Sequence, residues 1–234
     1  GAITGLIDKT RGNRELVRNI DGKLINDLGG NGSGSVVVEN AGSVSVTLRA
    51  FSNSPVPHTT RVTLYNGIDR VDIRNEITAN FSDVKTWSHS FNINSPDTWH
   101  EEVGAVIRAK LTTAGGHYYP KNARYDWLSM NHFADMTSGD GTFGVTLSNW
   151  DNSFMKLGSS TATLLDSTTP QINVLAGGQT DGPTLGILNQ NGDSYFLQRF
   201  AIRTHGSFDQ TSAMRMSLEH QNPFVTSAVT GTHS

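Results

Sequence analysis

The chain has 234 residues, a formal net charge of −3, a charged fraction of 17% and no cysteine. This low, slightly acidic charge argues against a nucleic-acid-binding protein, which needs a dense basic surface. No stretch approaches the roughly 18 consecutive apolar residues of a membrane-spanning helix. The absence of cysteine excludes disulfides and thiolate metal ligands, and the length suits one large domain or two small ones.

Short apolar runs separated by clusters of Gly, Ser, Thr and Asn recur along the chain, and 24 residues are glycine. This rhythm is typical of an all-β fold. The first predicted strand pair joins residues 2–7 to 15–17 through a charged turn. The glycine-rich segment 28–34 is interpreted as a loop inside the domain, because strand patterns resume directly after it.

Alternation of apolar and polar residues, the pattern of a half-buried strand, is clear at 44–50, 70–79 and 87–93. The segment 194–205 is apolar on both faces and is therefore expected to be a central, covered strand. Further strands are expected at 35–39, 61–65, 161–165 and 171–175.

The stretch 117–151 is expected to form a long hairpin near the middle of an antiparallel sheet. Its turn contains Gly139, Asp140 and Gly141, residue types that suit a positive φ. Together with Gly144 these glycines match the spacing of a dinucleotide-binding loop, but that loop must open a helix, and a strand pattern follows here. We therefore interpret the motif as a turn.

Only residues 210–220 have a helical pattern, with Asp209 as the N-cap and Pro223 beyond the end. A dozen or more strands with at most one short helix near 210–220 predict an all-β protein with large stacked antiparallel sheets. No repeat of fixed period is present, which argues against a propeller or solenoid.

No constellation typical of a catalytic or metal site stands out. His100 and Glu101 begin as a zinc-protease helix would, but Gly104 occupies the position where the second His is required. The eight histidines are scattered without the spacing of metal ligands, and no nucleophile elbow occurs.

Carboxylates and aromatic residues leave two interpretations open. Glycoside hydrolysis requires two facing carboxylates, and the sequence selects no pair. Glu101, Glu102, Asp126 and Asp135 lie near aromatic residues, either as site groups or as carboxylates of loops and strand faces. Several aromatic residues could stack on sugar rings or pack in the core, and Trp87 is the one most expected in the core. These residues are Trp87, Trp99, Trp127, Trp150, Tyr118, Tyr119 and Tyr125.

Several segments occur in an ordered series: GAITGLIDK at 1–9 with REL at 14–16, VGAVIR at 103–108, YYP at 118–120 and GVTL at 144–147. Segments 195–205 and 218–225 continue the series. In this order they resemble the C-terminal β-supersandwich region of α-mannosidases of glycoside hydrolase family 38, of bacterial or archaeal type. Gly5 departs from the serine usual in that family.

The resemblance implies one galactose mutarotase-like β-supersandwich domain spanning residues 1–234, as part of a longer enzyme. The N-terminal catalytic barrel, which carries the nucleophilic Asp and the zinc ligands in that family, is absent from this chain. We therefore expect no catalytic residue, metal or cofactor in this chain, and zinc in the barrel. The expected partners are that barrel and α-mannoside glycans, with no nucleic acid or membrane partner.

By the matching motifs, Arg108 and Tyr119 are the expected residues of the active-site rim, with Glu101 and Glu102 as further candidates. The family often has L-D-R-R where this chain has LLDS at 164–167. A basic contact found there in relatives is therefore expected to be missing or supplied elsewhere.

Two other functions stay open. One is a free-standing carbohydrate-binding module that uses the hairpin aromatics. The other is an independent mutarotase- or lyase-like sugar enzyme, which requires a pocket with a His or Tyr base beside Glu or Arg, since a fold alone does not determine function. The sequence does not determine the cell compartment, the linkage specificity or the oligomeric state.

Overall fold

The computed structural model describes residues 1–30, 32–181 and 185–223. Asn31, in the predicted glycine-rich loop, lies outside the described residues, as do residues 224 and 225 at the end of the last segment of the family resemblance.

The described residues form eighteen strands and one α-helix. In chain order they are β1 (Ile7–Asp8), β2 (Arg14–Glu15), β3 (Ile25–Asp27), β4 (Ser35–Ala41), β5 (Ser45–Ser52), β6 (His58–Tyr65), β7 (Val71–Ile77), β8 (Thr86–Ser90), β9 (Asp97–Glu102), β10 (Ala105–Arg108), β11 (Leu128–Ser129), β12 (Phe133–Thr137), β13 (Gly144–Asn149), β14 (Phe154–Leu157), β15 (Gln171–Leu175), β16 (Gln179–Asp181), β17 (Leu185–Gly186), β18 (Phe196–His205) and α1 (Gln210–Gln221). Short 3₁₀ turns occur at Lys9–Arg11, Thr112–Ala114 and Leu188–Gly192.

Two large antiparallel sheets dominate the architecture. The nine-stranded sheet has the order β10-β9-β12-β13-β18-β7-β6-β5-β4, and the five-stranded sheet has the order β11-β14-β15-β8-β3. The remaining strands form the pairs β1–β2 and β16–β17. The predicted all-β class with one short helix is confirmed, and the described chain is an antiparallel β-sandwich.

The apolar core lies between the two large sheets. Trp87 of β8 and Phe200 of β18 are fully buried, and His89 of β8 packs edge-on against Phe200 at 5.0 Å between ring centroids. The indole Nε1 of Trp87 donates to Gln198 Oε1 at 3.1 Å, which links the five-stranded sheet to the nine-stranded one. Trp87 is therefore a core residue whose polar atom is satisfied, as buried indoles require.

A polar bridge also crosses the core. Asn75 occupies a core-facing position of β7 between Ile73 and Ile77, where the alternation would place an apolar residue. Its amide exchanges two hydrogen bonds with Asn26 of β3, at 2.7 and 2.9 Å, and its Oδ1 accepts one from the Thr60 hydroxyl at 2.7 Å. Because these side chains are buried and their hydrogen bonds are satisfied, they fix the position of the five-stranded sheet relative to the nine-stranded sheet.

One end of the nine-stranded sheet is exposed on the face that elsewhere forms the core. We call this part, β4 to β6, the wing. Leu64 lies opposite the buried Val71 of β7, yet it is 50% exposed. Leu48 and Val38, farther from the core, are 43% and 62% exposed. The row that joins Val38, Leu48 and Val62 to the buried Ile73 therefore runs from solvent into the core, on the same face of the sheet as Leu64.

The outer face of the wing carries a ladder of ion pairs. The Glu39 carboxylate of β4 lies 3.1 Å from Arg49 Nε and accepts from Arg61 Nε at 2.7 Å, and Arg61 also donates to Glu76 of β7 at 2.9 Å. Arg74 completes the ladder on Glu76 at 2.7 Å. Arg49 and Arg61 alternate with the apolar residues of β5 and β6. The alternation of apolar and polar residues in the wing therefore reflects two different faces, although the apolar face is exposed.

The helix α1 packs on the outer face of β12 and β13. The Asp209 side chain accepts from the Thr211 amide at 3.1 Å, which confirms the predicted N-cap. Ala213 and Met216 are buried, and His220 Nδ1 lies 2.9 Å from the Ser148 hydroxyl of β13. With twelve residues, α1 is too short to cross a membrane, and no longer apolar helix occurs among the described residues.

Strand predictions were confirmed where the predicted strand pairs with a neighbour on each side in the nine-stranded sheet. The hairpin predicted at 117–151 is confirmed over residues 133–149, where β12 and β13 pair near the middle of the nine-stranded sheet and Gly141 in the turn has φ 71°. Residues 117–132 lie outside this hairpin, and their short strand β11 pairs with β14 instead. The segment 194–205 forms β18, between β13 and β7.

Two further strand predictions differ from the structure. The strand at 161–165 is wrong, because the Thr161 amide bonds to the Leu164 carbonyl at 2.9 Å and closes a turn. The pair 2–7 with 15–17 shrinks to the ladder of β1 and β2. The Glu15 carboxylate is the reason, since its Oε1 accepts from the amides of Leu6 and Val17, both at 2.9 Å, in place of strand partners.

Candidate functional site

Arg108, predicted for the rim, is held within the chain by an ion pair. Its Nε and Nη2 donate to the two carboxylate oxygens of Asp97 in β9 at 2.9 and 3.0 Å, and its Nη1 donates to the Gly115 carbonyl at 3.1 Å. Lys110 contacts the same carboxylate at 2.9 Å. Burial raises the pKa of Asp97, but the hydrogen bonds from Arg108 and Lys110 outweigh it and hold that pKa below its ordinary value.

Glu101 and Glu102 lie on opposite faces of β9. Glu101 is fully buried, and its Oε2 accepts from the amide and the Nδ1 of His132 at 3.0 and 2.7 Å. Its Oε1 accepts from the Gly104 amide at 2.5 Å. Glu101 therefore ties the β9–β10 turn to the segment before β12, and both of its oxygens are engaged there.

Tyr119 is the most exposed of the four predicted rim residues, at 62%. Its carbonyl accepts from the Tyr125 hydroxyl at 2.6 Å, so the backbone is fixed while the ring projects outward. The preceding Tyr118 is half-buried, and its hydroxyl lies 3.0 Å from His100 Nε2. Burial, followed by the charge of Glu102, raises the pKa of Tyr118. The four predicted residues thus surround the β9–β10 edge without converging on one point.

Asp135, another carboxylate noted in the sequence, is buried in β12 beneath the segment that precedes α1. It accepts from the hydroxyls of Thr146 and Thr137 at 2.6 and 2.9 Å and from His205 Nε2 at 2.6 Å. His205 Nδ1 faces the Gly206 carbonyl at 3.1 Å. Because a carbonyl and a carboxylate only accept, this arrangement is best satisfied with a proton on both ring nitrogens, and it stabilises the imidazolium form of His205.

The pKa of His205 agrees with this geometry. Burial lowers that pKa, but the hydrogen bond and the charge of Asp135 outweigh burial, so the pKa lies above its ordinary value. The Asp135 carboxylate is fully enclosed, whereas the His205 side chain stays 19% exposed, and the pair links β12 to the end of β18.

A cleft of about 690 Å³ opens at another part of the sandwich. Residues of four parts of the chain line it: 124–127, 151–154, 175–180 with 186–187, and 195–198. Four aromatic residues line it: Trp127, Phe154, Tyr195 and Phe196, and Phe196 packs on Phe81 at 5.1 Å between ring centroids. Phe154 is 41% exposed and Tyr195 is 57% exposed. Lys156 lies 5.6 Å above the centroid of Trp127.

The carboxylates of the cleft are paired with arginines. Asp126 receives Nε and Nη2 of Arg124 at 3.1 and 2.6 Å. The Arg124 hydrogen bond lowers the pKa of Asp126 below its ordinary value. Asp151 receives Nε and Nη2 of Arg199 at 2.9 and 2.5 Å, together with the Arg199 amide at 2.8 Å. The Arg199 guanidinium lies 3.5 Å above the Trp150 ring, so that indole is already covered.

The aromatic residues noted in the sequence thus separate by environment. Trp87 and Tyr125 are buried, and Trp99 stacks on Phe208 at 5.2 Å. Of the tryptophans, Trp127 lines the cleft. Sequence reasoning missed Phe154 and Tyr195, because each lies at the start of a strand pattern and nothing local indicates that the two meet Trp127.

Among the described residues, no group of three His, Asp or Glu side chains is arranged to hold a metal ion. The carboxylates described above instead form hydrogen bonds with basic side chains of this chain. These carboxylates belong to Asp97, Glu101, Asp126, Asp135 and Asp151.

No protein-family model matches the chain, and no curated protein sequence matches it at a significant level. Solved structures with a similar fold do exist.

An α-mannosidase from Enterococcus faecalis V583 matches with a TM-score of 0.59 at 12% identity, over 86% of this chain and 25% of that one. A glycosyl hydrolase family 38 protein from Enterococcus faecalis matches with a TM-score of 0.56 at 13% identity, over 86% of this chain and 26% of that one. A galactose mutarotase-like protein from Lactobacillus casei ATCC 334 gives a TM-score of 0.46 at 12% identity, covering 88% and 93% of the two chains.

The chain thus spans about a quarter of the length of the two Enterococcus proteins it matches. At 12–13% identity these likenesses show a related fold and nothing about activity.

Proposed function

We propose that this chain is the C-terminal β-sandwich region of a retaining α-mannosidase of the family 38 type, which supports the catalytic barrel and lines the rim of its active site. The observation that carries the proposal is the match over 86% of this chain to about a quarter of two longer glycosidase structures. The order of the family-like segments along the sequence supports the same assignment. In this proposal the barrel supplies the nucleophile and the zinc, and the parent enzyme acts on α-mannosides.

The rim role falls first to Tyr119, because its ring is 62% exposed on a backbone fixed by Tyr125. The Arg108 guanidinium is paired with Asp97, and its side chain is 32% exposed. Only this exposed part of the guanidinium could contact the barrel or the substrate. Glu101 and Glu102 are weaker candidates, since Glu101 uses both oxygens inside the chain.

The test compares two proteins on an aryl α-mannoside in the presence of zinc. The longer polypeptide that contains this chain is expected to hydrolyse the substrate, while residues 1–234 alone are expected to release no aryl alcohol. Turnover by residues 1–234 alone would contradict the proposal, as would an encoded protein without a barrel that holds an Asp and His set.

The rim is tested in the longer protein. Tyr119→Ala is expected to lower kcat/KM by about tenfold, the scale of losses when a positioning contact is removed. Tyr65→Ala removes another partly exposed tyrosine, on the wing, and is expected to leave kcat/KM unchanged. Equal losses in both variants would show a general effect on folding and remove Tyr119 from the rim.

A second candidate function, a carbohydrate-binding module, is favoured by the aromatic cleft. Calorimetry of residues 1–234 with mannose oligosaccharides separates it from a purely supporting role, because only a binding module gives a saturable heat. The mutarotase- or lyase-like alternative stays a hypothesis, and its signature would be conversion of a sugar by this chain without a barrel.

A further inference from the structure

The cleft of Trp127 has the dimensions and lining of a small-molecule site. Its volume of about 690 Å³ lies within the range of about 300–1,000 Å³ typical of such sites. Phe154 and Tyr195 place large aromatic surfaces in it that remain substantially exposed, at 41% and 57%. Exposed aromatic rings gathered in one concavity mark a binding site more often than single exposed apolar residues do.

The charges of the cleft restrict the chemistry of the ligand. Asp126 and Asp151 are each held in a two-point pair by an arginine, Arg124 and Arg199 respectively. An ionic ligand would have to break one of these pairs, and breaking a two-point arginine–carboxylate pair is costly. The Lys156 ammonium is engaged at one side of the Trp127 ring. The ligand that fits is therefore neutral.

Aromatic faces beside polar groups select a ligand that has both an apolar face and hydroxyls. Asn152 and Ser153 border the cleft next to Phe154, and Asn152 is already oriented by a hydrogen bond to Asn149 Oδ1 at 3.2 Å. A pyranose ring offers C–H groups to an aromatic face and hydroxyls to amides and carboxylates at its rim.

We propose that the cleft formed by Trp127, Phe154 and Tyr195 is a binding site for a neutral pyranoside, built by this chain alone and separate from the β9–β10 edge. This inference deepens the proposed function, on which the choice of mannosides as probes rests. The site acts by binding, and none of its residues is assigned a step of catalysis.

The test measures binding of methyl α-D-mannopyranoside and of an α-linked mannobiose to residues 1–234. Titration calorimetry and tryptophan fluorescence are the two readouts. A ligand with about a dozen non-hydrogen atoms is expected to bind with a dissociation constant in the millimolar range. Trp127→Ala and Tyr195→Ala are each expected to weaken binding by about tenfold. Trp127→Phe and Tyr195→Phe, which keep a ring, are expected to retain most of the affinity.

Tyr65→Ala is the matched control, because Tyr65 is a partly exposed tyrosine of the wing that lies outside the cleft and has no role in the proposed rim. It is expected to leave binding unchanged. Sodium mannuronate, an anionic analogue, is expected to bind at least tenfold more weakly than the mannoside. Circular dichroism and thermal unfolding of each variant separate lost binding from lost folding, and the two Phe variants decide the question if an Ala variant unfolds.

Three results would overturn the inference: no saturable signal with either neutral sugar up to high millimolar concentration, unchanged affinity in folded Trp127→Ala and Tyr195→Ala variants, or mannuronate binding as tightly as the mannoside. Failure of the proposed function is distinguishable from these results, because binding is measured on this chain without turnover. A longer protein without mannosidase activity would leave the binding result standing.

Discussion

Two regions of the nine-stranded sheet share one alternating pattern and end in opposite environments. In the covered region, from β12 to β7, Leu147 of β13 is fully buried against the five-stranded sheet. In the wing, Leu48 occupies an equivalent apolar position of β5 and is 43% exposed. Alternation therefore identifies which face of a strand is apolar, but it does not show whether a second layer covers that face.

The polar groups of the two regions differ in the same way. The covered region buries the amides of Asn26 and Asn75 in a closed hydrogen-bonded pair. The wing instead places Glu39 and Arg61 on its outer face, where water screens their ion pairs. The same kinds of groups should thus contribute very differently to stability in the two regions, and four changes test that difference.

The largest effect is expected from a matched pair of leucine substitutions. Leu147→Ala should lower the free energy of unfolding by about 3–5 kcal/mol, because it removes buried methyl groups and leaves a cavity. Leu48→Ala should lower it by less than about 1 kcal/mol, because the side chain is already half in water. Urea unfolding of both variants is the measurement, and equal losses would contradict the distinction between the wing and the covered region.

The next effect concerns the polar bridge between the sheets. Asn75→Ala should lower the free energy of unfolding by about 2–4 kcal/mol, because it leaves Asn26 and the Thr60 hydroxyl buried without their partner. Thr63→Ala is the control in the wing, where Thr63 shares a 2.9 Å hydroxyl contact with Thr47 in a half-exposed setting. If Asn75→Ala lowers the free energy of unfolding by less than Thr63→Ala does, water molecules have replaced the hydrogen bonds between Asn26 and Asn75.

Acid should weaken the covered region through its buried histidines. Burial lowers the pKa of His89 to about 3 and the pKa values of His100 and His220 to about 4. Below the unfolded value of about 6.5 the unfolded chain binds protons that the folded chain does not, so stability falls as pH falls from there. His89→Leu should reduce the stability lost between pH 7 and pH 5 by about 2 kcal/mol.

Urea unfolding at the two pH values checks this prediction. Leu48→Ala, which changes only the wing, should keep the pH dependence of the unchanged protein. His205 acts in the opposite direction, because its raised pKa adds stability that is present below about pH 6.5 and is lost as pH rises through its folded value. A His89→Leu variant with an unaltered pH profile would mean that His89 has the same pKa in the folded and the unfolded chain, which would contradict the prediction.

The smallest effect is expected on the outer face of the wing. Arg61→Gln removes contacts to both Glu39 and Glu76, yet it should shift the urea midpoint only slightly and only at low salt. The shift should vanish when salt is raised, because screening already weakens exposed pairs. A large shift that persists at high salt would show that the ladder is a structural element rather than a solvated surface.

The elements that could be predicted were those with a complete local signal. The β12–β13 hairpin carried a turn between two apolar runs, and α1 carried a cap at Asp209, so both were found from sequence. The segment 161–165 had the composition of a strand, but no neighbouring strand is available to pair with it, and a turn forms. Strand prediction fails there because pairing is a long-range property.

The candidate sites show the same limit. Trp127 was one of seven candidate aromatic residues, of which the sequence singled out only Trp87, as a core residue, and Phe154 and Tyr195 were not among the seven. These three residues come together only because β14 and β18 bring distant segments to one end of the sandwich. The rim residues Arg108, Tyr119, Glu101 and Glu102 rest on the family resemblance and stay a prediction.

Local sequence patterns were sufficient to predict the all-β class, the positions of most long strands, the central place of β18 and the capped helix, because each leaves a signal within a few neighbouring residues. Tertiary structure alone decided which apolar faces are covered, why Asn75 is tolerated among Ile73 and Ile77, and which aromatic residues form a cleft. It also decided that the charged form of His205 is stabilised, since Asp135 approaches it from 70 residues away along the chain. Burial and pairing are sums over the whole fold, and no short segment contains them.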